Sequence, residues 1–308
     1  MSLRTRSDAE PVAVIGAGSV GCMMAAYLAS AGCDIVVCGR EPLERVVMTV
    51  DGTTVEHKVA WAAEPADLGP VRYAVLATKI HHTPDVADWL GALPAGSAVL
   101  AAQNGVDHRA RIEPMTAAAV VPTLVYLNSK RTAPGEVLVS PSKGLIVPDD
   151  EAGRTAVALF AGSGMEIKAV ADFPTAAWDK LLINVIANPL TAITGRPLEV
   201  LAEPAMAALG LEVALETVEV ARAEGTALTP QHARDAMDLL HSLPGHLVSS
   251  MLQDRVAGRT MEHEGLLGPV VTLGQRHGVP TPLTSALLAL LDALPIGGVE
   301  SAPPTTVA

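Results

Sequence analysis

Near the N-terminus the string Gly16-Ala17-Gly18-Ser19-Val20-Gly21 stands between an apolar run, Pro11 to Gly16, and a stretch, Val20 to Ala31, that reads as a helix closed by Gly32. A second apolar run, Cys33 to Cys38, follows it. Strand, glycine turn, helix and strand within about 30 residues make a β-α-β unit. Parallel strands joined through a helix commit the chain to an α/β sheet covered on both faces.

The three glycines have separate physical reasons. Gly16 permits the tight turn, Gly18 removes a Cβ from the path of an approaching phosphate, and Gly21 lets the helix lie close to the strand. The helix N-terminus adds unpaired N–H groups and positive potential. Gly16, Gly18, Ser19, Val20 and Gly21 are therefore expected to hold the pyrophosphate of a dinucleotide, a purely structural turn being the alternative. At the end of the second apolar run, where an NAD enzyme usually carries a ribose-binding acid, the chain reads Cys38-Gly39-Arg40. Gly39 makes room there, and Arg40 offers a bidentate clamp for a 2′-phosphate, which favours NADPH/NADP as the cofactor. Glu41 beside it argues the other way, and a surface arginine without a ligand is the plainer reading.

Further buried-strand candidates are Arg72 to Thr78 and Ser97 to Ala102, separated by a helical stretch from Thr83 to Leu93. Asp51-Gly52, between Val46–Val50 and Thr53–Val59, is a hairpin signal. Pro134-Gly135, between Val120–Tyr126 and Glu136–Val139, is another, so the sheet is expected to become mixed toward its far edge. Strands at Gly144 to Val147 and Met165 to Val170 flank a helix from Asp150 to Ala161. After Asp172 strand signals cease, and helices punctuated by Pro and Gly follow. The expected fold is thus an α/β N-terminal Rossmann-type dinucleotide-binding domain over residues 1–171, then an all-α C-terminal domain over 172–298. A disordered tail over 299–308 is expected to end the chain. A core rich in Ala, Val, Leu and Ile suits this plan, since aromatics are only 3% of the 308 residues.

A net charge of −12 without any basic block argues against nucleic acid or an anionic membrane as partner. No run reaches the roughly 18 apolar residues of a membrane span, and Met1 to Glu10 lacks the apolar core of a signal peptide. Cys22, Cys33 and Cys38 form no C-x-x-C pair, so a reduced, cytoplasmic protein is expected. No metal is expected, because adjacent His81 and His82 diverge and no chelating spacing occurs. The apolar helical domain is compatible with a homodimer.

The string from Trp178 to Pro189 places Lys180 and Asn184 four residues apart on one helical face, with Asn188 one turn further, at an expected proline break. A cation and two amides in an apolar stripe point to a small anionic, oxygen-bearing molecule. Taken singly, Lys180 reads equally as an exposed helix lysine and Asn184 as a surface amide. Ser250 reads as a helix start, and Glu262 as a first-turn acid favoured by the helix dipole.

Here the chain resembles the ketopantoate reductase family, the 2-dehydropantoate 2-reductases. The glycine turn with Arg40, Ala77-Thr78-Lys79, Gln103-Asn104-Gly105-Val106, the Lys180-Asn184-Asn188-Pro189 helix, Ser249 to Asp254, Gly258-Arg259 and Glu262 match in order over nearly the whole length. The resemblance implies NADPH-dependent reduction of a 2-oxo acid to a 2-hydroxy acid, with Lys180 as general acid and Glu262 near it. Glu262 would bind a substrate hydroxyl, and it counts among the groups on the cofactor side as well. Ser250, Asn184 and Asn188 would hold the substrate, Asn104 would bridge substrate and cofactor, and Lys79 would line the cofactor side. Three departures bear on substrate choice: Leu247 stands where the family carries a substrate-contacting Asn, His263-Glu264 where it often shows Ile-Asp, and Leu267-Gly268 where it often shows Asn-Gly. Two other functions compete. A β-hydroxyacid or sugar-phosphate-type dehydrogenase would not need the Ser249 to Asp254 string. A non-catalytic NADP-binding sensor would not need Lys180, Asn184 and Glu262 together.

Overall fold

The computed structural model describes residues 11–140 and 144–295, which fall into two compact units divided between Phe173 and Pro174. The expected tail, 299–308, lies outside the described residues.

The first unit opens with β1 (Val12–Ile15), α1 (Ser19–Ser30) and β2 (Ile35–Cys38), followed by the hairpin β3 (Arg45–Val50) and β4 (Thr53–Lys58) and by β5 (Ala60–Ala62). Next come β6 (Tyr73–Leu76), the short helix α2 (Ala87–Gly91), β7 (Ala98–Ala101), α3 (His108–Ile112) and β8 (Ala119–Pro122). β9 (Leu124–Val125), β10 (Asn128–Ala133), β11 (Glu136–Ser140), β12 (Leu145–Pro148), α4 (Glu151–Leu159) and β13 (Ile167–Val170) complete it.

Six strands form one wholly parallel sheet in the order β5-β2-β1-β6-β7-β8. Successive residues of a strand face opposite sides. Accordingly Val12 and Val14 of β1 join one apolar cluster with α1, whereas Ala13 and Ile15 join a second with Leu90 of α2 and Ile112 of α3. A four-stranded sheet, β10-β11-β3-β4, lies on the other side of α1, which packs against strands of both sheets. That explains why Gly21 through Leu28 are all buried and why α1 contains no charged residue. A small third sheet, β13-β12-β9, carries α4.

Three expectations for the first unit need correction. The antiparallel strands do not continue the parallel sheet but build sheets of their own. The turn at Pro134-Gly135 joins β11 to Asn128–Ala133, and the run Val120–Tyr126 is divided between β8 and β9 in two different sheets. The stretch from Thr83 to Leu93 yields a 3-10 turn at Pro84–Val86 and only five residues of α-helix.

The second unit is helical throughout its described residues: α5 (Phe173–Thr194), α6 (Pro204–Ala223), α7 (Pro230–Ser242), α8 (Ser250–Val256), α9 (His263–His277) and α10 (Pro282–Asp292). Pro189 does not break α5, which continues for another turn. Proline there withholds one N–H from the Val185 carbonyl, and the deeply buried Val185, Ile186 and Leu190 outweigh that loss.

Candidate active site

Four loops leave the C-terminal ends of neighbouring parallel strands: the glycine turn after β1, Gly39-Arg40 after β2, Lys79 after β6 and Asn104 after β7. The chain runs outward from β1 through β2 to β5, then returns to β6 and continues outward to β8. The direction therefore reverses between β1 and β6, the position where open α/β sheets bind ligands.

The glycine turn divides by what surrounds it. Gly16 has φ +105°, and a Cβ there would lie 2.9 Å from Thr78 Cγ2 and 3.0 Å from Thr78 N. A Cβ on Gly21 would fall 1.8 Å from the Gly16 carbonyl oxygen. Both glycines are required by the protein's own packing. Gly18 is not: its φ is −77°, and a Cβ there would meet no protein atom within 4 Å. The space before the first turn of α1, where the N–H groups of Ser19 and Val20 have no intrahelical partner, suits a phosphate. The Ser19 hydroxyl itself donates to Ser129 Oγ at 2.7 Å.

Arg40 is exposed. Its loop is held by Gly39, whose N–H donates to the Ala62 carbonyl at 3.4 Å and whose carbonyl accepts from the indole Nε1 of Trp61 at 2.9 Å. Sequence reasoning missed Trp61. The available signal was a large ring on a short edge strand in a chain with only three tryptophans.

In the second unit Lys180, Asn184 and Asn188 project from α5 at four-residue spacing, Ser250 is the first residue of α8, and Glu262 is the N-cap of α9. Glu262 is buried, yet its side chain makes no capping hydrogen bond, so the helix-start reading does not account for it. Burial pushes the Lys180 ammonium down to about 8, and the Glu262 carboxylate acts on it in the opposite direction. The two are thus electrostatic neighbours. Asn188 is also buried, and its Nδ2 has no hydrogen-bond partner among the described residues. A buried donor left unsatisfied costs about 1–3 kcal/mol, a cost that a bound acceptor would remove. Ser250 is exposed, and Leu247 lies at the surface near it in the chain.

The polar stripe of α5 extends one step further than sequence reasoning took it. Thr191, three residues beyond Asn188, is fully buried and joined to Ser249 by a 2.7 Å hydroxyl contact. Ser249 Oγ accepts from the Leu252 N–H at 3.1 Å and caps α8. Thr191 Oγ1 donates to the Ala187 carbonyl at 2.6 Å, so the shared proton must come from Ser249. This contact ties the start of the Ser250 helix to the helix of Lys180.

Comparison with known proteins settles the family. Residues 12–149 match the family described as ketopantoate reductase PanE/ApbA, and residues 172–295 match its C-terminal counterpart. The chain belongs to the ketopantoate reductase family. A 2-dehydropantoate 2-reductase of Caulobacter vibrioides is 33% identical, over 92% of this chain and 98% of that protein. One of Mycobacterium tuberculosis is 32% identical over 92% and 97%. The crystal structure of a PanE/ApbA family ketopantoate reductase from Ralstonia eutropha JMP134 superposes with a TM-score of 0.84 at 27% identity, covering 92% of this chain and 97% of that one. As a ketopantoate reductase family member the chain is an oxidoreductase acting on CH–OH groups, with a Rossmann-like first unit and a helical second unit. No helix among its described residues is long and apolar enough to cross a membrane.

Proposed function

We propose that the protein reduces the ketone of a 2-oxo acid, ketopantoate or a close relative, with NADPH, and that Lys180 is the general acid. The observation that carries this reading is the Lys180–Glu262 pair: an ammonium lowered to about 8 beside a buried carboxylate. Reduction of a 2-oxo acid turns a neutral carbonyl oxygen into an alkoxide, and a positioned cation both stabilises that charge and delivers the proton. A lysine near 8 is about nine-tenths protonated at pH 7, yet gives up its proton far more readily than one near 10.5.

The remaining polar groups suit the rest of such a molecule. Asn188 Nδ2 offers a donor without a partner, Asn184 a second amide on the same face and Ser250 a hydroxyl. Glu262 would accept from a substrate hydroxyl, and its charge favours the Lys180 ammonium. NADPH, when bound, supplies the hydride. The open space at Gly18 and the free first-turn N–H groups fit its pyrophosphate, Arg40 fits the 2′-phosphate, and Lys79 and Asn104 leave the adjoining strands. The relatives named 2-dehydropantoate 2-reductase support ketopantoate as the first substrate to try. Leu247 cannot hydrogen-bond a hydroxylated substrate, so selectivity among 2-oxo acids is expected to be broad.

The test is NADPH consumption with ketopantoate and a panel of branched and hydroxylated 2-oxo acids. Turnover with at least one of them is expected. Tight NADPH binding without turnover on any of them would overturn the reductase reading in favour of a sensor.

A further inference from the structure

We infer that Gln103 is a positioning residue for the cofactor, acting through Thr78 to hold the glycine turn, Lys79 and Asn104 in one arrangement. The inference rests on the cofactor reading of Lys79 and Asn104 above.

Gln103 follows β7 and is buried, 5% exposed. Its amide orientation is determined by partners that each allow only one role. Arg111 Nη2, which can only donate, lies 3.1 Å from Oε1. The Thr78 carbonyl, which can only accept, lies 3.0 Å from Nε2. Nε2 also donates to Thr78 Oγ1 at 3.1 Å and Thr83 Oγ1 at 3.0 Å. Its two hydrogens are therefore shared between the two oxygens of Thr78 and the hydroxyl of Thr83. Arg111 is itself paired with Asp107, the N-cap of its own helix. The Gln103 carbonyl accepts from Nε2 of the buried His108 at 2.8 Å, so the residue is held through main chain and side chain together.

Thr78 is where this network reaches the cofactor loops. Its methyl and its backbone N stand under Gly16, at 2.9 and 3.0 Å from where a Cβ would be. Lys79 follows Thr78 in the chain, as Asn104 follows Gln103. One buried amide thus sets the height of the loop after β6 against the loop after β7 and against the turn after β1. A hydrophobic contact would hold these loops together without fixing their register, whereas the amide does so because each bond has a direction.

Gln103→Glu isolates this function. The carboxylate keeps Arg111, and the threonine hydroxyls can rotate to donate to it, but it faces the Thr78 carbonyl with no proton to give. NADPH dissociation constants by fluorescence titration, with melting temperatures, should be measured for the wild type, Gln103→Glu, Lys79→Ala and the double variant. Thr83→Val, which removes one acceptor away from Lys79, serves if Gln103→Glu does not fold. Gln103→Glu is expected to weaken NADPH about tenfold and Thr83→Val about threefold. The double variant should lose clearly less than the product of the two single losses, because part of the effect of Gln103 runs through Lys79 and coupled residues are not additive. Unchanged affinity in folded Gln103→Glu and Thr83→Val, or losses that multiply in the double variant, would overturn the inference while leaving the cofactor reading intact. Unchanged affinity in Lys79→Ala alone would instead remove the reading of Lys79, and this route with it.

Discussion

The glycine turn of the first unit and the Lys180 helix of the second are built on opposite principles. At the turn the groups proposed to meet the cofactor are backbone N–H, and side chains matter by their absence. On α5 the helix satisfies most of the backbone, and the proposed chemistry draws on Lys180, Asn184 and Asn188, side chains spaced along one stripe. The first kind of site constrains residue identity by steric geometry, which any sequence displays. The second constrains it by what happens to stand opposite, which no local pattern reveals.

The largest expected difference between the two is in the chemical step. Replacing Lys180 by Ala should lower kcat by about 10³-fold while NADPH affinity changes by less than about twofold, as general acid catalysis is worth 10²–10⁴. Steady-state kinetics with direct cofactor titration separates the two effects. An equal loss in binding would mean that Lys180 serves the cofactor and that the two sites do not divide the labour in this way.

Within the turn the contrast is between Gly18 and Gly21, three residues apart in the chain. Gly21→Ala drives a methyl to 1.8 Å from a carbonyl oxygen, and the melting temperature should fall by many degrees, since overpacking costs about 1–3 kcal/mol or more. Gly18→Ala meets no protein atom within 4 Å and should leave the melting temperature nearly unchanged. It should nevertheless weaken NADPH by roughly tenfold or more, because the methyl occupies the space assigned to the pyrophosphate. If Gly18→Ala binds NADPH normally, that space belongs to something else. Arg40→Ala comes next in size: a charged hydrogen-bonding partner is worth about 1.5–3 kcal/mol, so NADPH should bind roughly tenfold to a hundredfold more weakly with NADH unaffected. Equal losses for both would remove the preference for the 2′-phosphate.

The same division explains what could be read in advance. The strands β1, β2, β6 and β7 were legible because parallel strands buried on both faces are continuous apolar runs. β10, Asn128–Ala133, was not, because its side chains are mostly polar and exposed and its place depends on pairing with β11. Pro189 was misjudged as a helix end because local rules cannot weigh the burial of Val185, Ile186 and Leu190 against one lost N–H. In the glycine turn the steric roles of Gly16 and Gly21 were legible down to single residues. Of the Lys180 constellation only the spacing on α5 followed from the chain. Its neighbourhood with Glu262, 82 positions away, came through family resemblance, and Thr191 and Gln103 were passed over because hydroxyls and amides carry no local mark of what they bond.

The smallest expected effect bears most directly on how the second site works. Lys180 in the folded protein releases its proton near 8 rather than 10.5, so kcat for reduction should fall as pH rises through about 8. Glu262 opposes that lowering, since a nearby carboxylate favours the charged ammonium. Removing its charge in Glu262→Gln should therefore move the alkaline limb of kcat to lower pH, while the amide preserves size and one hydrogen-bonding oxygen. The sign for stability runs the other way. Between about 8 and 10.5 the unfolded chain holds a proton that the folded chain has released, so this group makes the protein more stable as pH rises across that window. An alkaline limb unmoved in Glu262→Gln would assign the buried carboxylate to the substrate hydroxyl alone.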